Sequence, residues 1–405
     1  MSGTAQAVQV ATVVVRLKDL TNDDLPAAIS QFVLNVTRAG AYPPHELPPK
    51  ATQVHHLGYY VGQVSNGGHA QFLHNSNSLG AFQTVAAGAL AALKKMGAEK
   101  QHQVLAAMVA WAAANSEASR EVHVNAMKGF DERFWAAENE RPIFETWAED
   151  ERPTLAGRWI SNWPELQIVK DDRYDLAIEE IAALNPFRVP RLAWRNVQSI
   201  RYQITDPVQI AIAAACGAVE PEPETKTRVA GHVPFLEIEG KQCVGHIVQT
   251  DKGKRLCVCD DEGARLYAYH EGDRRAKRAP SEHTMKYLSR RAVSSVGSRL
   301  SAVDAATIQR FVKVANETQA PEAIELLLRR AGLSPAATVT AWGALENEAL
   351  WIAFTDGRLV VARTFSHGAT LVGFDGPQLV AITKSDIECH AAEMEMVAAT
   401  MQAPT

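Results

Sequence analysis

Apolar residues in the first 190 positions recur three and four apart, the period of a helix buried on one side. Leu25 to Ala39 carries Ile29, Phe32, Val33 and Val36 on one face, behind the capping run Thr21-Asn22-Asp23-Asp24. Thr52 to Val64 repeats the pattern with Leu57, Tyr60, Val61 and Val64 and stops at Asn66-Gly67-Gly68. A second helix restarts at Ala70 with Phe72 and Leu73 and ends near Asn75-Ser76-Asn77. Further helices are expected over Leu79 to Met96, Glu99 to Ala114, Val122 to Ala136, Thr154 to Trp159 and Asp175 to Leu184. Val8 to Leu17 is β-branched and suits an edge strand or an ordered arm. The pattern predicts an all-α bundle over about residues 20–190.

Residues 191–231 are expected to form a linker region with one buried helix, Val208 to Cys216, and an exposed stretch, Val219 to Thr227. After Gly231 the period changes to two. Phe235 to Ile238, Gln242 to Gln249, Lys254 to Asp260 and Arg265 to Tyr269 predict a four-stranded antiparallel meander. Helices over Ser281 to Arg290, Ala302 to Val314 and Pro321 to Ala331 complete a domain spanning 232–335. A second meander, Ala349 to Phe354, Arg358 to Phe365, Ala369 to Phe374 and Gln378 to Thr383, and a helix over Ser385 to Met401 make a domain of 336–405. The fold class is α+β: an all-α N-terminal bundle, then an α+β region with two antiparallel β-meanders. The turn Thr250-Asp251-Lys252-Gly253 echoes Thr355-Asp356-Gly357. Duplication would explain this, but convergence of hairpins on such turns is the plainer reading.

Charge narrows the function. Residues 1–190 carry 16 Lys and Arg against 21 Asp and Glu, the whole excess of −5, whereas 191–405 balance. Residues 131–180 hold 14 acids against 6 bases. Direct nucleic-acid binding by the N-terminal domain is therefore not expected, since it needs clustered bases. Five cysteines, odd and sparse, suit a reducing compartment. No basic segment precedes the apolar stretch near the N-terminus, and no apolar run is long enough to span a bilayer. A cytoplasmic location without membrane contact is expected.

Candidate chemistry is sparse. Nucleotide-binding glycine loops, H-E-x-x-H and G-x-S-x-G are all missing, so no catalytic residues are assigned. Cys243, His246, Cys257 and Cys259 invite a zinc reading. In a strand Cys257 and Cys259 share a face while Cys243 and His246 point apart, so reduced core cysteines are expected, with neither metal nor cofactor. His69 and His74 are five apart, not four, and read as local structure or surface. Asp171, Asp172 and Asp175 could bind a cation but also suit a helix start. The basic run Arg274 to Arg278 reads as a solvated loop.

The most specific motif is Tyr59 to Ser76, an apolar helix ending in Asn66-Gly67-Gly68 and a second helix carrying Gln71 and Asn75. It resembles the signature hairpin of the DNA-mimic-protein family, with His69 where that family often has an aromatic. Ala89 to Ala98, Asp131-Glu132-Arg133-Phe134-Trp135 and Leu155 to Ile160 are similar to later family segments. The resemblance covers about residues 25–170. It implies an acidic, dimeric helical protein that imitates the charge of duplex DNA and engages a DNA-binding protein. An acidic partner-binding face would then use Asp131, Glu138, Glu145, Glu149, Asp150 and Glu151, with Glu132 and Glu140 nearby. Asn66, Gly67, Gly68, Gln71 and Asn75 are expected to be structural. The function expected is a non-catalytic protein-interaction module, with a homodimer allowed. An immunity or antitoxin-like binder of a bacterial conflict system, and an enzyme whose site is assembled across domains, stand as alternatives.

Overall fold

A computed structural model of the chain describes residues 9–20, 24–116, 120–144, 154–270, 296–374 and 376–401. The chain divides into two compact units, residues 1–189 with 401–405, and residues 190–400.

The first unit is the helical bundle. Its helices are α1 (Asp24–Gly40), α2 (Pro49–Ser78), α3 (Phe82–Met96), α4 (Glu99–Ala114), α5 (Arg120–Glu140), α6 (Leu155–Ile160) and α7 (Tyr174–Ala183). The apolar stripes converge as their spacing requires: Ile29, Phe32, Val36, Leu57, Tyr60, Phe72, Leu93, Leu105 and Phe134 are all buried in one core. Strand β1 (Val13–Arg16) is no exposed arm. Val13, Val14 and Val15 are buried, and β1 pairs in parallel with β2 (Leu166–Val169). Strand β2 was not expected. Four residues with Ile168 half exposed give too little alternation to register as a strand.

The second unit holds α8 (Arg188–Thr205), α9 (Pro207–Gly217), strands β3 (Arg228–Ile238), β4 (Lys241–Thr250), β5 (Gly253–Asp260), β6 (Gly263–Tyr269) and β7 (Val296–Asp304), then α10 (Ala305–Glu317) and α11 (Ala320–Arg330). Strands β8 (Thr338–Ala344), β9 (Glu348–Thr355), β10 (Arg358–Phe365), β11 (Gly368–Gly373) and β12 (Gln378–Thr383) and helix α12 (Lys384–Met401) follow. The stretch read as connecting sequence with one helix thus holds two. Pro190 disguised α8, but it lies in the first turn, where a missing N–H breaks no intrahelical bond. Ala302 to Asp304, expected to open a helix, close β7 instead, and the Asp304 side chain caps α10 by accepting from the Thr307 N–H. The helix expected over Ser281 to Arg290 lies outside the described residues, as does Arg274 to Arg278.

Each sheet is a five-stranded antiparallel meander, in the orders β3-β4-β5-β6-β7 and β8-β9-β10-β11-β12. The registers of the three central strands, β4-β5-β6 and β9-β10-β11, coincide at a constant spacing of 105 residues. His246 faces Cys257 as Trp351 faces Ala362, and Cys257 faces Leu266 as Ala362 faces Leu371. Gly263 faces Asp304 as Gly368 faces Thr383. The shared Thr-Asp turn performs one task twice. Asp251 Oδ1 accepts from the Thr225 N–H at 2.6 Å, and Asp356 Oδ2 accepts from the Ser334 N–H at 2.7 Å. Helix α9 packs on β5, β6 and β7 but most extensively on β8 of the second sheet, whereas α11 packs on β10, β11 and β12. The same five-stranded meander, with the same Asp-braced turn, thus occurs twice in this unit.

Candidate functional site

The signature hairpin is one helix with a break inside it. Gly67 (φ −166°, ψ 23°) and Gly68 (φ 75°, ψ −177°) interrupt α2, and the chain turns there. The Gly68 conformation is essentially reserved for glycine. Close approach adds a second reason: a Cβ on Gly68 would lie 2.5 Å from Asp131 Oδ2.

Asp131 closes the break from α5. Its Oδ1 accepts from the His69 backbone N–H at 2.7 Å and lies 2.6 Å from His69 Nδ1. A carboxylate only accepts, so Nδ1 carries the proton and His69 Nε2 accepts from the Tyr60 hydroxyl at 2.8 Å. His69 is fully buried, ringed by Tyr60, Phe130 and Phe134. Its ring makes two hydrogen bonds, to Asp131 and to Tyr60. Burial lowers its pKa, against the pull of Asp131. The other side of the break is braced by Gln63, whose Oε1 accepts from Gln71 Nε2 at 3.0 Å and Asn75 Nδ2 at 2.7 Å. Asn66 is exposed at the corner. Gln71 and Asn75 thus brace the break through Gln63, and the sequence signal did not show the partners Tyr60, Gln63, His69 and Asp131.

The acidic candidates separate. Asp131 is committed to His69. Glu138 accepts from Gln101 Nε2 at 2.8 Å and from the Ile143 N–H at 3.2 Å, tying the end of α5 to α4. Burial raises its pKa, partly offset by these donors. Both were assigned to an outward face, and both point into the structure instead. Their spacing along α5, seven residues, puts them on its buried side with Phe134. Glu132 is exposed, and Glu140 is exposed and paired with Lys100. Glu145, Glu149, Asp150 and Glu151 lie outside the described residues. Asp171, Asp172, Asp175, Glu179 and Glu180 are exposed around the start and outer face of α7, where Lys18 approaches Asp171 at 3.5 Å.

In the second unit, Cys257 and Cys259 share a face with their sulfurs 3.8 Å apart. The contact with Cys259 and burial together push the Cys257 thiol well above its ordinary pKa, so it is held protonated. Cys243 faces the other way, toward the Leu236 carbonyl, and His246 meets His232 at 3.1 Å between Nδ1 atoms. Among the described residues no three histidines, cysteines or carboxylates come together as a metal site.

The first unit is thus a helical bundle organised around a glycine-broken hairpin, with polar side chains used as braces and carboxylates exposed on α5 and α7. Residues 45–163 match the DMP19-like protein family, that is, relatives of a DNA-mimic protein. The match spans the broken hairpin, Asp131 and the 145–151 acids. No curated protein and no solved structure matches the chain. No helix among the described residues is long and apolar enough to cross a membrane.

Proposed function

We propose that the helical unit is a non-catalytic, regulatory interaction module that presents carboxylates to the basic surface of a DNA-binding protein. The match of residues 45–163 to the DMP19-like family carries this reading. The charge supports it: 14 acids against 6 bases between 131 and 180. Duplex DNA carries one charge per ~1.7 Å of axis, so a protein that imitates it needs a row of exposed carboxylates. Asp172, just before α7, and Asp175 and Glu179 on its exposed side recur at three- and four-residue intervals. With Asp131 and Glu138 committed internally, the binding acids are Glu145, Glu149, Asp150 and Glu151, continued by Glu132 and Glu140. Dimerisation would lengthen the acidic row.

The test is affinity capture with the full chain at ~50 and ~300 mM salt, beside a variant carrying E145Q, E149Q, D150N and E151Q. A DNA-binding protein retained by the native chain at low salt, and lost both at high salt and with the variant, is expected. Equal recovery by both chains would remove the acids from the interface.

A further inference from the structure

Helix α11 carries two carboxylates one turn apart, Glu322 and Glu325, and both are buried. Each is met by a different helix. Glu322 pairs with Arg201 of α8. Glu325 has no exposed surface, and neither of its oxygens accepts an aligned hydrogen bond among the described residues. It is met by close contact instead: His390 Nε2 of α12 lies 2.7 Å from Glu325 Oε2, and Arg329 Nε lies 3.6 Å from the same oxygen. A carboxylate so placed is costly unless a proton-bearing or cationic group stands beside it.

His390 is itself buried, and its second ring nitrogen stands between groups of opposite charge. Arg329 Nη2 lies 3.2 Å from Nδ1, and Glu393 Oε2, one turn further along α12, lies 3.5 Å from it. A guanidinium only donates, so its contact needs a bare Nδ1 and leaves the ring proton on Nε2, toward Glu325. A carboxylate only accepts, so Glu393 can hold Nδ1 only when that nitrogen carries a proton. The two partners are therefore mutually exclusive, and the proton on the ring selects between them. The remaining charged groups nearby are Glu322, whose pKa is raised by burial against the pull of Arg201 and His390, and Arg201 itself. A doubly protonated ring would place a second cation against Arg329, with Glu325 and Glu393 on either side to receive it.

We propose that His390 is a proton-operated switch between α11 and α12. With one proton the ring accepts from Arg329. With two it releases Arg329 and donates to Glu393. Histidine is the side chain whose ordinary charge change falls at about pH 5–8, so mild acidification operates the switch. Arg329 sits in the last turn of α11 beside Arg330, which is paired with Asp386. Once released, Arg329 becomes a surface cation, so the proton changes the charge that this end of α11 presents. The switch lies within the second unit and does not rest on the proposal for the helical unit.

The test is nuclear magnetic resonance of the full chain with nitrogen-labelled histidine and arginine, in which two-bond ring correlations report which ring nitrogen carries a proton. The His390 signal is the one lost in His390→Gln and displaced in both Arg329→Leu and Glu393→Ala. The last two alter half-exposed side chains, so they keep the test decisive should His390→Gln not fold. At about pH 7.5 the ring should carry its proton on Nε2 alone, and Arg329→Leu should let the form with the proton on Nδ1 appear. At about pH 5 both nitrogens should be protonated, and the Nδ1 proton should exchange with water about tenfold faster in Glu393→Ala than in the native chain. The Arg329 guanidinium signal, identified by its loss in Arg329→Leu, should move as His390 titrates. A proton on Nδ1 at the higher pH, a ring still neutral at the lower one, an Arg329 signal that ignores the His390 titration, or Nδ1 exchange indifferent to Glu393→Ala would each overturn the proposal.

Discussion

Gly68→Ala places a methyl group where α2 breaks and tests whether the break is what holds the bundle. The backbone there, φ 75° and ψ −177°, costs a non-glycine residue about 1–3 kcal/mol. The new Cβ would also stand 2.5 Å from Asp131 Oδ2 and 2.9 Å from its Cγ. Asp131 must withdraw, and it holds both the backbone and the ring of His69. Hydrogen bonds to a charged group contribute about 1.5–3 kcal/mol each. Losing one of them and straining the backbone gives about 3–5 kcal/mol, a large part of a typical domain's stability of about 5–15 kcal/mol. The chain has two units, so a single melting curve does not isolate the effect. Hydrogen exchange of peptides covering α2 and α5 does. Gly68→Ala should lower protection there at least ~100-fold, the equivalent of about 3 kcal/mol. Gly62→Ala is the control: it lies in the same helix, nothing lies within 4 Å of its Cβ, and alanine should gain about 0.5–1 kcal/mol. Protection in Gly68→Ala within about twofold of the native chain would refute the reasoning.

Other consequences are as direct. Glu138→Ala removes the acceptor for Gln101 and the Ile143 N–H, and should cost about 1–3 kcal/mol by the same exchange measurement; partner capture unchanged by it would agree with an internal role, and lost capture in a folded variant would return Glu138 to the interface. The folded pKa values of His56 and His69 lie below their unfolded ones, His56 at about 4, because burial disfavours the cation. The unfolded chain therefore takes up protons first as pH falls. Stability of the helical unit should be full above pH ~6.5 and decline toward pH ~4, and urea midpoints independent of pH across that window would contradict this. A Cβ on Gly263 would lie 2.0 Å from the Val303 carbonyl oxygen, and one on Gly368 2.2 Å from that of Ile382. Each Gly→Ala variant should therefore loosen its own sheet by a similar amount, at least ~2 kcal/mol by exchange; loss at one site alone would argue against the repeat.

Much of the architecture was legible in the sequence because it follows from period. The helical stripes, the break at Asn66-Gly67-Gly68 and the change to strand alternation after Gly231 all correspond to elements of the structure. Short or irregular segments were not legible. Strand β2 has four residues, β8 has a register shift between Ala341 and Gly343, and α8 carries Pro190 in its first turn. The hairpin braces could be named from their positions, Gln71 and Asn75, but their acceptor Gln63 could not, because nothing in one-dimensional spacing pairs residues across a bend of unknown angle. The acidic residues show the limit most clearly. Asp131 and Glu138 look like surface carboxylates in a charge count, yet each answers a buried donor, His69 in one case and Gln101 in the other. Charge density along a chain does not say which way a side chain points.

The central claim is that the helical unit occupies a surface that would otherwise hold DNA. Once a partner has been captured on the immobilised chain, increasing concentrations of duplex oligonucleotide should elute it at constant ionic strength, and the chain should reciprocally displace the partner from that duplex. A ternary complex, in which partner, duplex and chain remain together at saturating DNA, would contradict the account.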